Sequence, residues 1–327
     1  MRTKLYPLKF EPLMKYRVWG GDKIKSLLNK DVKGKGRIGE SWELSGVEGD
    51  VSVVSNGFLQ GNTLTELIEV YMGDLMGDRV FEKFGHSFPL LIKFIDAREA
   101  LSIQVHPDDE LAAKRHNSFG KTEMWYVLHA EKDAYLINGF NKEVTPEEYV
   151  KHVENDTVES ILAKHPVKEG DVFFIPAGRV HAIGAGIVIA EIQQTSDVTY
   201  RIYDFNRLEK NGKPRELHTQ EAMDAIDYKL YDNFRTNYFP KKNGSVEVVK
   251  SPYFATNLLT GTSKLARDYY SLDSCVILIS TQGDAELHYN GAVETLKFGE
   301  TVLIPAELRQ IEIVPQGEVK ILEVYIP

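Results

Sequence analysis

Gly170-Asp171-Val172-Phe173-Phe174-Ile175-Pro176-Ala177-Gly178-Arg179-Val180-His181 is the stretch that decides the fold. A glycine turn feeds a short apolar run, and a proline then ends it, because proline cannot donate to a strand ladder. The spacing Gly170-x5-Pro176-x-Gly178-x2-His181 returns near the C-terminus as Gly299-x5-Pro305-x-Glu307-x2-Gln310. Two copies of one glycine–strand–proline unit predict a duplicated β module. The second copy has Gln310 where the first has His181, so only the first copy keeps its ligand.

Working outward, two upstream segments complete a set of metal-capable side chains: Leu101-Ser102-Ile103-Gln104-Val105-His106-Pro107-Asp108 and Lys121-Thr122-Glu123. Residues two apart on a strand share a face, so Gln104 pairs with His106 and Lys121 with Glu123. Gln104, His106, Glu123 and His181 then offer nitrogen and oxygen donors that suit a divalent ion such as Zn2+, one per chain. The set is not a closed thiolate site, which points to chemistry rather than structure. Either histidine alone would more often be structural; ligand spacing and a matching carboxylate reverse that. His116, His129, His152, His165, His218 and His288 have no ligand-spaced partner and read as surface or structural residues.

Short strand-like runs fill most of the chain: Pro89 to Ile95, Ala100 to His106, Met124 to Leu128, Ala134 to Asn138 and Asp171 to Ile175. Many short strands at close spacing predict a sandwich or barrel rather than a parallel α/β sheet. Helical patterns are few. Leu64, Leu67, Ile68, Tyr71 and Leu75 carry one from Thr63 to Glu82, and Thr145-Pro146-Glu147-Glu148 caps another, in two pieces, reaching Lys164. Leu217 to Tyr228 and Asp108 to His116 are further candidates. Phe239-Pro240-Lys241-Lys242-Asn243-Gly244-Ser245 reads as a linker. The boundary falls near 240, giving units 1–240 and 241–327.

Length and charge narrow the class. With 327 residues and a formal net charge of -9, the chain is expected to bind neither nucleic acid nor a membrane surface in general. A single cysteine, Cys275, excludes an internal disulfide framework and lies in the apolar run Cys275-Val276-Ile277-Leu278-Ile279, where a core thiol is expected. The N-terminus has no apolar stretch of signal-peptide length, and the longest apolar stretch, Ala182 to Ala190, is short and glycine-broken. The expected location is the cytoplasm.

The first module matches the second signature of the cupin superfamily, and Gln104-Val105-His106 with Glu123 resembles the first. Trp19-Gly20-Gly21, Glu40-Ser41-Trp42, Ser102-Ile103-Gln104-Val105-His106-Pro107, Lys121-Thr122-Glu123 and Ser196-Asp197-Val198-Thr199-Tyr200-Arg201 narrow this further. Together they resemble type I phosphomannose isomerase in its short bacterial form, from about residue 6 to the end. Glu123 and His181 are too close in sequence to hold the long helical insertion of other members. The resemblance implies a mainly β protein of two cupin-type jelly-roll β-barrels, with a few helices packed on the first. It implies a zinc-dependent isomerase that interconverts mannose 6-phosphate and fructose 6-phosphate, and an arginine, Arg201, that stabilises the reaction intermediate.

Other roles are assigned by chemistry. A proton shuttle beside a carbonyl needs a base near a carbon-bound hydrogen. Glu191 and Asp197, same-parity residues on an expected polar strand from Glu191 to Arg201, are the carboxylate candidates. Lys121 is a further acid–base candidate, since a nearby cation lowers a lysine pKa. Lys93, Ser102 and Arg207 are candidates for hydroxyl or phosphate contacts, and Trp19 for a sugar platform. Two rival classes share the scaffold. One is another metal-dependent cupin enzyme, such as an iron dioxygenase, which Gln104 disfavours. The other is a non-catalytic sugar-binding cupin.

Overall fold

A computed structural model describes residues 4–33, 36–209 and 212–327. The chain is mainly β, built from four open sheets in two stacked pairs. In the first pair, a six-stranded sheet has the order Leu13–Gly21, Ile38–Leu44, Leu90–Ala97, Ile187–Gln194, Glu123–Ala130, Val172–Ile175. It faces a five-stranded sheet ordered Tyr200–Tyr203, Ile103–Val105, His181–Ile183, Tyr135–Phe140, Leu162–Pro166. In the second pair, Leu8–Lys9, Thr301–Ile304, Val276–Gln282, Val319–Tyr325, Ala255–Gly261 and Gly244–Lys250 face Leu265–Asp268, Gln310–Pro315, Ala285–Tyr289 and Ala292–Leu296.

Side-chain alternation explains the stacking. Along Leu90–Ala97, Ile92 and Phe94 enter the largest apolar cluster, while Ile95 and Ala97 enter another shared with Leu136 and Ile183 of the facing sheet. Ile187–Gln194 repeats the split: Val188, Ala190 and Ile192 go one way, Ile187 and Ile189 the other. Both strands are therefore buried on both faces, and read as nearly continuous apolar runs. Lys93 and Glu191 interrupt those runs on the inward face, where they stand opposite each other in the ladder.

The duplicated motif has equivalent geometry in both copies. Gly170 and Gly299 have φ of +85° and +78°, a region that favours glycine. Each precedes a four-residue strand, Val172–Ile175 or Thr301–Ile304, in a six-stranded sheet. The next strand then begins on the ligand position, His181 or Gln310, in the facing sheet.

The helices differ from expectation in length and placement. The pattern from Thr63 to Glu82 forms three short helices, Leu64–Tyr71, Gly73–Met76 and Asp78–Phe84, the first with the capping box of Thr63 and Glu66. Gly77 breaks the run at φ +94°; a Cβ there would lie 2.4 Å from the Asp273 carbonyl oxygen. The Asp273 carboxylate accepts from the Asp78 and Arg79 amides at 2.7 and 2.8 Å, capping the third helix from the C-terminal region. These helices do not pack on the first sheet pair alone. Leu64, Leu67 and Leu75 share one apolar cluster with Phe94 and Met124 and with Ile277, Leu303 and Val324. The helix expected at Leu217–Tyr228 covers only Thr219–Ala225, and the piece expected to reach Lys164 ends as the strand Leu162–Pro166. No helix among the described residues is long and apolar enough to cross a membrane.

Candidate active site

Two rows of polar side chains, one on each sheet of the first pair, build the site. Ladder register aligns Trp42, Lys93, Glu191 and Trp125 across four neighbouring strands of the larger sheet. On the facing sheet, register aligns Arg201, Gln104, His181 and Asn138. Directly opposed residues on adjacent strands share a face, so each row projects as a unit. Between the rows lies a cavity of about 650 Å3 whose wall includes Trp19, Glu40, Trp42, Lys93, Ser102, Gln104, Lys121, Glu191, Asp197, Arg201 and Arg215.

Beside the lining residue Lys121, and buried out of the wall itself, His106, Glu123 and His181 converge, with one donor atom from each within 4.8 Å of the others. His106 Nδ1 lies 3.0 Å from the Val198 carbonyl and His181 Nδ1 lies 2.7 Å from the Arg179 carbonyl. Those carbonyls fix the proton on Nδ1 in each ring and turn both Nε2 lone pairs toward Glu123, the arrangement of metal-ligating histidines. Among the described residues, His181 Nε2 and Glu123 Oε1 are buried without a hydrogen-bond partner, 3.3 Å apart. Two aimed lone pairs and an orphaned carboxylate oxygen are what a cation would satisfy. The residues fit a divalent ion, with Gln104 beside His181 in the ladder as a further donor.

Burial sets the charges here. It holds both imidazoles neutral, with the Lys121 charge adding to the effect: His181 is pulled to about 3 and His106 well below its ordinary value. Burial pushes the Glu123 carboxyl up to about 7 against the opposing pull of Lys121. Lys121 Nζ contacts Glu123 Oε2 and lies 3.0 Å from His106 Nε2. Burial alone would lower the Lys121 ammonium, but Glu123 and Glu191 outweigh it and raise it, so the protein's own groups act against the expected depression. Glu191 goes the other way. Burial would raise it, but Lys93 and Lys121 prevail and hold it ionised. Its oxygens meet Lys93 Nζ at 3.1 Å and the Trp125 indole N–H at 3.0 Å.

Over 94% of its length the chain is 35% identical to the mannose-6-phosphate isomerase ManA of Bacillus subtilis (strain 168), and it covers 95% of that protein. The chain belongs to the type I phosphomannose isomerase family. The family's catalytic-domain description, phosphomannose isomerase type I, matches residues 8–122. A mannose-6-phosphate isomerase of Streptococcus mutans is 39% identical over 67% of this chain and 67% of its own. The crystal structure of the Bacillus subtilis mannose 6-phosphate isomerase superposes with a TM-score of 0.88 at 30% identity, covering 98% of this chain and 99% of that one. The segment matched to the phosphomannose isomerase domain ends just before Glu123; His181 and Arg201 come from beyond it.

Most residues singled out from sequence line this cavity; His106, Glu123 and His181 are buried next to its lining residue Lys121, and two further expectations change setting. Glu191 and Asp197 are not on one strand. The first strand ends at Gln194, and the chain crosses to the facing sheet before Tyr200–Tyr203. Gln193 Nε2 holds that crossing by donating to the carbonyls of Gln194 and Ser196 at 2.8 and 2.7 Å. Asp197 is thus an exposed residue at the cavity rim. Arg207 is absent from the wall, because Asp204 and the Ala100 carbonyl hold its guanidinium. Sequence reasoning passed over Glu40 and Arg215. Glu40 is buried in the wall, held by Arg17 at 2.9 and 3.0 Å and by the Trp42 indole at 2.7 Å. Its signal was present: Glu40 and Trp42 are two apart on a strand and share a face.

Proposed function

We propose that the chain interconverts mannose 6-phosphate and fructose 6-phosphate by moving a proton between C1 and C2 of the open-chain sugar through a cis-enediol. The observation that carries this reading is the buried His106–Glu123–His181 cluster, which touches Lys121 in the wall of a cavity lined by both carboxylates and cations, in a chain of this family. Gln104, His106, Glu123 and His181 would hold Zn2+, which when bound supplies Lewis-acid polarisation of sugar oxygens.

The chain's own groups do the rest. Arg201 gives a fixed positive charge beside the site of the enediolate. Glu191 from the floor and Asp197 from the rim are the carboxylates offered to the carbon-bound proton, and Lys121 serves the oxygens. Lys93 and Ser102 meet sugar hydroxyls, and Trp19 provides an apolar wall. We read each stacked pair of sheets as a cupin-type jelly roll, with the division near residue 240, and the protein as cytoplasmic. The equivalent glycine, strand and ligand positions of the two copies support that reading. Purified, zinc-loaded protein should convert mannose 6-phosphate to fructose 6-phosphate. Absence of turnover in that assay would refute the function.

A further inference from the structure

We propose that Arg215, held in a clamp by Asp204, receives the substrate phosphate, and that Arg207 does not; the inference rests on the isomerase reading above. Arg207 has its guanidinium committed inside the protein. Its Nη1 donates to the Ala100 carbonyl at 2.6 Å, its Nη2 to Asp204 Oδ1, and its Nε to the Asp204 carbonyl at 3.3 Å. Arg215 lines the cavity wall. Its Nε donates to Asp204 Oδ2 at 2.8 Å and its Nη2 to Asp204 Oδ1, while Nη1 takes no protein acceptor among the described residues. Asp204, only 5% exposed, therefore fixes the plane of the Arg215 fork and leaves one edge to a ligand.

Position decides which end of the sugar this edge meets. Along the smaller sheet the order runs from His181 to Gln104 to Arg201. The segment after Arg215 lies against Arg201: Arg201 Nη1 donates to the Glu216 carbonyl at 2.9 Å and its amide to His218 Nδ1 at 3.0 Å. A bridge between Leu208 and Pro214 turns the chain back, and the following segment bonds to the strand edge at Arg201. Arg215 thus stands on the side of Arg201 away from the histidines. An open-chain sugar with C1 and C2 toward the His106–Glu123–His181 cluster carries its phosphate at the opposite end. A phosphate dianion is well matched to a preorientated guanidinium fork, and Arg201, Arg207 and Arg215 outnumber the carboxylates of Asp204 and Glu209 there.

The test uses the metal-loaded full chain, with inorganic phosphate and mannitol as competing ligands. Arg215→Ala should raise the KM for mannose 6-phosphate and the inhibition constant of phosphate together, by about tenfold to a hundredfold, the scale of a lost charge-assisted contact. The kcat should stay within about threefold and inhibition by mannitol should not change. Arg215→Lys, which keeps the charge without the fork, should fall between and serves as the reading if the alanine variant does not fold. An unchanged phosphate constant in both variants would overturn the assignment. So would loss of phosphate inhibition in Arg207→Ala but not in Arg215→Ala. If the wild type failed to isomerise the sugar, the reading of function would fall. Calorimetric titration with phosphate would then still report on Arg215 by itself.

Discussion

Replacing Arg201 by alanine should cut kcat by about a hundredfold to a thousandfold, or roughly 2.7–4 kcal/mol, the usual cost of removing one fixed donor aimed at developing charge. Several contacts make the side chain a fixed donor. The Glu216 carbonyl holds Nη1, and the Arg201 backbone exchanges hydrogen bonds with His218 at 3.0 and 2.8 Å. Its Nε is buried without a hydrogen-bond partner among the described residues, so that donor is left for the ligand. The ground-state sugar presents a neutral carbonyl and the enediolate an anion, so the loss belongs to kcat more than to KM. Steady-state kinetics of Arg201→Ala and Arg201→Lys, with metal content and thermal midpoint measured on the same samples, separate the cases. Lysine keeps the charge but not the fork and should recover part of the loss. A raised KM with unchanged kcat would make Arg201 a binding residue and refute the argument.

Metal analysis should find one divalent ion per chain, and chelation should abolish turnover; His181→Ala should lose both metal and activity, and full activity in metal-free protein would contradict the site. Gln310→Ala should leave metal content and kcat within about twofold, because the residue is exposed and its amide reaches Asp268 alone among the described residues, at 3.4 Å. Deletion of residues 245–327 should instead give insoluble protein, since Leu8, Leu75 and Phe94 would lose Ile277, Leu303 and Val324 from their shared cluster; a soluble, active truncation would show the region to be dispensable. Asp204 gives a pH signature. Burial would raise its carboxyl, but the hydrogen bonds from Arg215 and Arg207 prevail and hold it below the ordinary value. The unfolded chain therefore binds the proton more readily, so this contribution is complete above an ordinary aspartate pKa of about 4 and is lost as pH falls through the lower folded value. Urea midpoints at a series of acidic pH values should fall more steeply for the wild type than for Asp204→Asn, and parallel curves would count against the clamp.

Much of the site could be read in the sequence because its residues obey a short-range rule. Gln104, His106, Glu123 and His181 lie on or beside strands, where period-two alternation and the glycine–proline punctuation of Gly170 to His181 say which side chains face inward. Nearness in sequence to the motif does not say which carboxylate claims a guanidinium, and Asp204 and the Ala100 carbonyl claim that of Arg207. The strand expected from Glu191 to Arg201 failed for a related reason. Gln193 bonds the backbone of a crossing between sheets, and no local pattern of Thr195-Ser196-Asp197 records it.

Local propensity and spacing thus determined by themselves the β class, the repeated glycine–strand–proline unit, the cap at Thr145 and the inward donor set. These are decided within a few residues, by turn chemistry and by the alternation of a pleated strand. Only the tertiary structure decided that Gly77 breaks the helical run to admit Asp273, that Glu40 reaches the cavity, and that Asp204 divides its two arginines between a buried clamp and an open edge. Each of those depends on a partner far away in the chain, and a partner's position is fixed only when the sheets stack and the shared core closes.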